Sequence, residues 1–114
     1  MRLLIEEALG NEEFKVTKVR ALTGDDYDHY EFKHNWDDYC VVSIIRAGCS
    51  MIGEVFTLMP GVPVAKILIQ RDETSPNKDP IYFYDKIPKS ISKKERVFIL
   101  DPMLGTGGSV STAI

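Results

Sequence analysis

The stretch that decides the fold is VFILDPMLGTGGS, residues Val97–Ser109. Four apolar residues at its start predict a buried β-strand that ends at Asp101. The chain then passes three glycines within four residues, 105–108, and reaches the start of a helix. Glycines permit positive φ angles and let an anion approach backbone N–H groups without meeting Cβ atoms. The pattern predicts a phosphate-binding turn, and the alternative is an ordinary strand-to-helix turn with a Thr or Ser N-cap.

This turn differs from two common phosphate-binding motifs. No Lys follows the glycines as in a Walker loop, and Asp101 precedes the loop instead of following it, as the acidic residue of dinucleotide-binding folds does. The segment DPMLGTGGS (Asp101–Ser109) resembles the phosphoribosyl diphosphate (PRPP) binding signature of phosphoribosyltransferases, in the variant typical of the uracil phosphoribosyltransferase family. Gly105 stands where that family usually has Ala, a change that should loosen the loop without removing a donor.

Composition limits the classes of function. With 114 residues, of which 44% are hydrophobic, the chain is predicted to form one packed domain. The formal charge of −3 argues against nucleic-acid binding, which usually needs clustered Lys and Arg. No apolar run approaches the roughly 18 residues of a membrane span, and no export signal is evident. These observations predict a cytoplasmic protein with small-molecule ligands and no membrane partner.

Hydrophobic periodicity predicts alternating strands and helices. Runs rich in β-branched residues predict buried parallel strands, and apolar residues at helical spacing predict helices. The predicted elements are a helix over 2–9 capped by Gly10, a hairpin over 14–33, a strand over 39–45, a helix over 51–59 and strands over 64–69 and 97–100.

Charged residues follow three of the predicted strands. Arg46, Arg71 and Asp101 each lie just past the carboxyl end of a predicted buried strand. The carboxyl ends of parallel strands share one edge of a sheet, where ligands bind in open α/β folds. Guanidinium groups grip anions bidentately, so this set suits a sugar phosphate that carries a second anion. A single arginine at a strand end is usually a surface charge, but three polar residues on one edge favour a site.

The segment 74–86 is predicted to be a hairpin-like flap over this edge, because its tip SPNKD (75–79) consists almost entirely of turn-forming residues. A surface loop without function is the alternative.

The family resemblance extends over nearly the whole chain. VSIIRAG (42–48) resembles the diphosphate loop of the family, ILIQRDE (67–73) the strand and arginine before its flap, YDKIP (84–88) the return of the flap, and RLLIEEAL (2–9) an early helix. The resemblance implies a type I phosphoribosyltransferase fold, which is α/β with an open, mostly parallel sheet and an antiparallel hairpin flap. It also implies that 1–114 is a single partial domain, truncated at both ends, with C-terminal strands missing.

The resemblance further implies a reaction and a site. Uracil and PRPP would give UMP and diphosphate in pyrimidine salvage, with Mg²⁺ carried by PRPP and no metal ligand from the protein, in a homo-oligomer. Asp101, Arg46 and Arg71 would be catalytic; Asp101 would hold the ribose hydroxyls, both arginines the diphosphate, and 106–109 the 5′-phosphate. The implied PRPP-binding residues are Arg46, Ala47, Gly48, Arg71, Asp101, Pro102, Met103, Leu104, Gly105, Thr106, Gly107, Gly108 and Ser109.

Two alternatives remain open at the level of sequence. The family's uracil-recognition segment lies downstream of the PRPP loop and has no counterpart before Ile114, so the chain could be a non-catalytic PRPP-binding or regulatory module. An RNA-binding regulator of the same fold is the second alternative, against which the acidic balance weighs.

Overall fold

The computed structural model describes residues 1–33 and 35–114 and contains two sheets. One is a two-stranded hairpin, and the other is a four-stranded sheet in the order β5-β4-β3-β6. The helices are α1 (Arg2–Gly10), α2 (Ile52–Leu58) and α3 (Gly108–Ala113), and the strands are β1 (Phe14–Arg20), β2 (Asp26–Phe32), β3 (Tyr39–Ile45), β4 (Val64–Arg71), β5 (Pro80–Lys86) and β6 (Arg96–Leu100). Short 3₁₀ turns cover Trp36–Asp38, Ala47–Met51 and Ile91–Lys93.

The four-stranded sheet is organised around β3. This strand pairs in parallel with β4 on one side and with β6 on the other, and β5 adds antiparallel to β4. The first six residues of β3 are buried, as expected for a central strand with both faces covered. The prediction of an open, mostly parallel α/β sheet is confirmed. Consequently β3, β4 and β6 all end at the same edge of the sheet.

Successive side chains of a strand point to opposite faces of the sheet, so alternate residues of β3 belong to two separate hydrophobic cores. Tyr39 and Val41 belong to a cluster with α1 and α2, whereas Cys40, Val42 and Ile44 belong to a cluster on the other face. Residues of α3 pack against this second cluster. The full membership is Ile5, Leu9, Tyr39, Val41, Val55, Met59, Val62 and Leu100 on the first face, and Cys40, Val42, Ile44, Ala65, Ile67 and Ile69 on the second.

The segment 74–86, predicted to be a hairpin-like flap, belongs to an antiparallel hairpin whose other strand is β4. Residues 80–86 form β5, which pairs with β4 rather than with a strand inside the segment. The N–H of Asp72 donates to the carbonyl of Asp79 at 2.9 Å, so residues 72–79 make the connection. The free edge of β4 offers a full strand of hydrogen-bonding partners, which the short turn-rich segment does not. The flap region is therefore the outer part of a β4–β5 hairpin.

Two helix boundaries also differ from expectation. The helix predicted over 51–59 is preceded by a 3₁₀ turn, Ala47–Met51, and is regular only in α2. Gly10, expected to cap the first helix, is its last residue, and Asn11 follows with right-handed backbone angles.

A row of aromatic rings joins the β1–β2 hairpin to the core. Phe14 and Phe32 have ring centroids 5.0 Å apart, and Trp36 lies 5.6 Å from Phe32 and 5.6 Å from Tyr39. Tyr39 in turn lies 5.8 Å from Phe98 of β6. Burial of Tyr39, followed by the charge of Glu12, raises the pKa of its phenol. These contacts give an otherwise separate two-stranded sheet the packing it needs.

Candidate active site

The carboxyl edge of the sheet holds a cavity of about 240 Å³. It is lined by residues from the ends of β3 and β4 and from the segment after β6: Ile44, Ile45, Arg46, Ala47, Ile69, Arg71, Asp101, Met103 and Ser109. A neighbouring cavity of about 580 Å³ shares both arginines and adds Gln70 and Glu73. The three charged residues that follow separate strands in the sequence therefore surround one space.

Two guanidinium groups give this space its positive charge. Arg46 directly follows β3, and Arg71 is the last residue of β4; both side chains are exposed. Within residues 1–33 and 35–114, neither arginine has an ion-pair partner. Two uncompensated guanidinium groups at one cavity favour an anionic ligand that accepts hydrogen bonds from both. The peptide bond between Ile45 and Arg46 is cis, a feature that the sequence did not indicate.

Asp101 is half-buried at the opposite side of the cavity, directly after β6. Its Oδ1 accepts a hydrogen bond from the N–H of Met103 at 3.1 Å. This is the local turn that Asp forms with the backbone two residues ahead, and Pro102 between them has no N–H to compete. One carboxylate oxygen thus fixes the start of the loop.

The segment from Leu104 to Ser109 forms a tight glycine turn before α3. Gly105 and Gly107 have φ angles of 52° and 77°, and the N–H of Gly107 donates to the carbonyl of Leu104 at 2.8 Å. Gly107 is the N-cap of α3 and makes no side-chain cap bond, so the alternative of a Thr or Ser cap is wrong. Among the described residues, no acceptor is found for three backbone N–H groups, those of Thr106, Gly108 and Ser109.

The predicted site residues divide into three groups. Six of them line the 240 Å³ cavity: Arg46, Ala47, Arg71, Asp101, Met103 and Ser109. Gly48 is the buried residue of the 3₁₀ turn that follows Arg46. The rest form the loop beside the cavity without lining it: Pro102, Leu104, Gly105, Thr106, Gly107 and Gly108.

Sequence reasoning missed the apolar floor of the cavity. Ile45 and Ile69 line it, and both belong to apolar strand runs whose pattern indicates only a buried core. Their position in the sequence could have indicated them, because each lies within two residues of an arginine that is predicted to bind the ligand.

Comparison with known proteins identifies a matching family. The model of the family described as uracil phosphoribosyltransferase matches residues 1–114. The chain belongs to the uracil phosphoribosyltransferase family. Its expected fold and membership, inferred from the glycine loop and the strand ends, are both confirmed.

Two relatives named uracil phosphoribosyltransferase illustrate the match. The protein from Dictyostelium discoideum is 40% identical over 114 residues, which is 100% of this chain and 50% of the relative. The protein from Saccharomyces cerevisiae (strain ATCC 204508 / S288c) is 41% identical over 113 residues, 99% of this chain and 50% of the relative. The chain spans about half the length of the curated relatives it matches.

A solved structure supports the fold. The AQ2163 protein from Aquifex aeolicus superposes with a TM-score of 0.75 at 28% identity, covering 98% of this chain and 50% of that chain. Across residues 1–33 and 35–114, no helix has the length and apolar content required to cross a bilayer.

Proposed function

We propose that this chain is the PRPP-binding half of a uracil phosphoribosyltransferase, an enzyme that converts uracil and PRPP to UMP and diphosphate. The observation that carries the proposal is the single cavity lined by Arg46, Arg71, Asp101 and Ser109. PRPP has anionic groups at both ends of a ribose, which matches cations on one side of the cavity and a turn with open N–H groups on the other.

Each part of PRPP has a matching group on the protein. The open N–H groups of Thr106, Gly108 and Ser109 suit the 5′-phosphate, since glycine φ angles keep side chains away from it. Asp101 uses Oδ1 for the loop, and its carboxylate retains acceptor capacity for the ribose hydroxyls. Arg46 and Arg71 suit the diphosphate because each guanidinium fork can donate to two oxygens.

The chemistry follows from these positions. Cleavage at the anomeric carbon passes through a state with oxocarbenium character, as in other glycosyl transfers, and diphosphate leaves with the bonding electron pair. Arg46 and Arg71 stabilise the charge that develops on the leaving group. The nitrogen of uracil attacks the opposite face of the ribose and gives up its proton to the leaving diphosphate or to water, so the enzyme supplies no covalent nucleophile.

The donor set fits a Mg²⁺ ion that arrives on PRPP. Within the described part of the chain, no group of three or more His, Cys, Asp or Glu side chains could hold a metal ion. Magnesium commonly keeps several waters and binds through one or two carboxylates plus substrate phosphates. In this proposal the phosphates of PRPP and water molecules would hold the ion, and no side chain of the protein would be a direct ligand. Bound in this way, Mg²⁺ would neutralise charge on the diphosphate.

Recognition of uracil, in this proposal, depends on residues beyond these 114. The segment after Ser109 consists of the rest of α3, a helix that ends at Ala113, and Ile114. A base pocket needs donors and acceptors arranged around the uracil edge, and the residues at the cavity are already matched to phosphates and ribose. A non-catalytic PRPP-binding module is the competing assignment, and uracil turnover separates the two.

The proposal also covers partners and location. We expect a homo-oligomer, supported by the elongated shape of 69 × 28 × 20 Å and by exposed apolar side chains on the hairpin, among them Val16 and Tyr30. We place the protein in the cytoplasm, where the free thiols of Cys40 and Cys49 remain reduced. The net charge of −3 supports small-molecule ligands rather than nucleic acid.

Calorimetric titration with Mg²⁺-PRPP tests the proposal. The wild-type chain should bind, and Arg46→Ala and Arg71→Ala should each weaken binding by about 1.5–3 kcal/mol, the value of hydrogen bonds to charged groups. Arg20→Ala is the matched control, since Arg20 is an exposed arginine at the end of another strand, β1. Absence of binding to a folded wild-type chain, or equal losses in all three variants, would refute the assignment of this cavity to PRPP.

A further inference from the structure

Gly48 is buried where the 3₁₀ turn Ala47–Met51 meets the end of β6. A Cβ added to it would overlap the carbonyl oxygen of Leu100 and lie 3.2 Å from the carbonyl carbon of the same residue. It would also lie 3.0 Å from Oγ of Ser43. The main obstacle is backbone, which cannot rotate aside as a flexible side chain can. Even the smallest side chain at Gly48 therefore requires one of the two segments to move.

The requirement at Gly48 concerns space rather than backbone angles. Its φ lies outside the left-handed region, unlike those of Gly105 and Gly107. Those two glycines have nothing within 4 Å of an added Cβ, so their constraint is conformational. Gly48 instead marks a close approach between two chain segments.

These two segments carry charged groups of the cavity. Arg46 lies two residues before Gly48, and Asp101 directly follows Leu100. A second contact ties the turn to the sheet, because the hydroxyl of the fully buried Ser43 donates to Sγ of Cys49 at 3.8 Å. Ser43 is also the register partner of Leu100 in the β3–β6 pair. The closeness of the turn to β6 thus sets the spacing between Arg46 and Asp101.

We propose that Gly48 is a positioning residue, which seats the Arg46 turn on the end of β6 so that one PRPP molecule can engage Arg46 and Asp101 together. This role rests on the proposed function. A ligand that contacts both segments gains affinity from their fixed spacing, since it need not order them on binding. A ligand that contacts only the Asp101 side gains nothing from that spacing.

The experiment compares two ligands on the complete 114-residue chain. Calorimetry measures the affinities of Mg²⁺-PRPP and of ribose 5-phosphate, which lacks the diphosphate, in the wild type and in Gly48→Ala. The variant should lose about tenfold or more in PRPP affinity and less than about twofold in ribose 5-phosphate affinity. A general loss of folded protein would lower the two apparent affinities by the same factor, so their ratio isolates the positioning effect.

Gly53→Ala is the matched control. Gly53 lies nearby in α2, and an added Cβ there has nothing within 4 Å. In Gly53→Ala, the ratio of PRPP affinity to ribose 5-phosphate affinity should equal the wild-type ratio. Ser43→Ala provides a milder test that adds no volume: it removes the hydrogen bond to Cys49 and should lower the ratio by about twofold to fivefold.

The outcomes separate this role from the proposed function. A wild-type chain that binds neither ligand refutes the proposed function and this role with it. If the wild-type chain binds PRPP more tightly than ribose 5-phosphate, but Gly48→Ala leaves the ratio of the two affinities unchanged, only the role of Gly48 is overturned. If circular dichroism shows that Gly48→Ala does not fold, Ser43→Ala decides: a lowered ratio supports the role, and an unchanged ratio overturns it.

Discussion

The two loops at the cavity are held in place by different means. The Arg46 turn is packed onto the sheet through a buried glycine, Gly48, where the backbone of Leu100 leaves no room for a side chain. The loop after Asp101 is largely exposed, and its shape depends on the φ angles of Gly105 and Gly107, around which there is open space. All three glycines were predicted to bind PRPP, but Gly48 allows two chain segments to pack closely, whereas Gly105 and Gly107 allow positive φ angles.

The largest expected effect follows from what both loops have in common. They hold PRPP, in our proposal, and neither supplies a site for uracil. Glycosyl transfer gains on the order of 7–11 kcal/mol from holding both reactants in attack geometry. The 114-residue chain alone should therefore convert radiolabelled uracil to UMP at a negligible rate, although it binds PRPP.

Complementation sharpens this prediction. The C-terminal half of a relative such as the Saccharomyces cerevisiae protein, supplied in trans or fused, should restore turnover, and the same half added to Arg71→Ala should not. Efficient formation of UMP by the purified chain, with its mass confirmed, would contradict the prediction. Binding of PRPP without turnover even after complementation would favour the non-catalytic alternative.

The second prediction separates the effect of loop geometry on PRPP binding from the effect of backbone strain on stability. Gly107 has φ 77°, and Gly61, in the middle of the segment between α2 and β4, has φ 84°. Valine at either position should destabilise the fold by about 1–2 kcal/mol, because the left-handed region is strained for residues with a Cβ. Only Gly107→Val should also weaken Mg²⁺-PRPP binding, by about tenfold or more, since in our proposal the 5′-phosphate binds to the N–H groups of this turn and not to those around Gly61.

Thermal melts and calorimetry on the two variants provide the measurement. The melts should show similar losses in stability, which makes Gly61→Val the matched control. Equal PRPP affinity in the wild type and in Gly107→Val would mean that residues 104–108 are an ordinary turn.

The sequence predicted well whatever depends on local pattern. The run of β-branched residues in β3 indicated a strand buried on both faces, and the charged residues after three apolar runs indicated that they would meet at one edge of the sheet; β3 is central, and the three charged residues line one cavity. The flap was predicted as hairpin-like, and it is the β5 side of an antiparallel hairpin, but the pattern did not indicate β4 as the partner strand because several turn-forming residues, including Pro76, separate the two strands. The close contact at Gly48 was also hidden, since Leu100, whose backbone an added Cβ would meet, is distant in sequence and belongs to another strand.

The same local turn occurs at two strand ends and offers the smallest and most specific test. Asp101 accepts one hydrogen bond, from the N–H of Met103, after β6. Asp72, after β4, accepts two at its Oδ1, from the N–H of Thr74 at 2.8 Å and from Oγ1 of Thr74 at 2.6 Å. The hydroxyl and the N–H of Thr74 lower the pKa of Asp72 below its ordinary value of 3.8.

The lowered pKa of Asp72 fixes the sign of its pH dependence. A carboxyl group with a depressed pKa in the folded state stabilises that state fully above its unfolded pKa, and the contribution is lost as the pH falls through the folded pKa. We expect the turn between β4 and β5 to remain closed at pH values above 3.8 and to loosen only in more acidic solution. The change in global stability should be small because Asp72 and Thr74 lie at the surface.

The amide resonance of Thr74, followed by NMR during an acid titration, measures the transition directly. Asp72→Asn, which keeps an oxygen acceptor without the titrating proton, should abolish this pH dependence, and a wild-type midpoint at or above 3.8 would contradict the assigned hydrogen bonds.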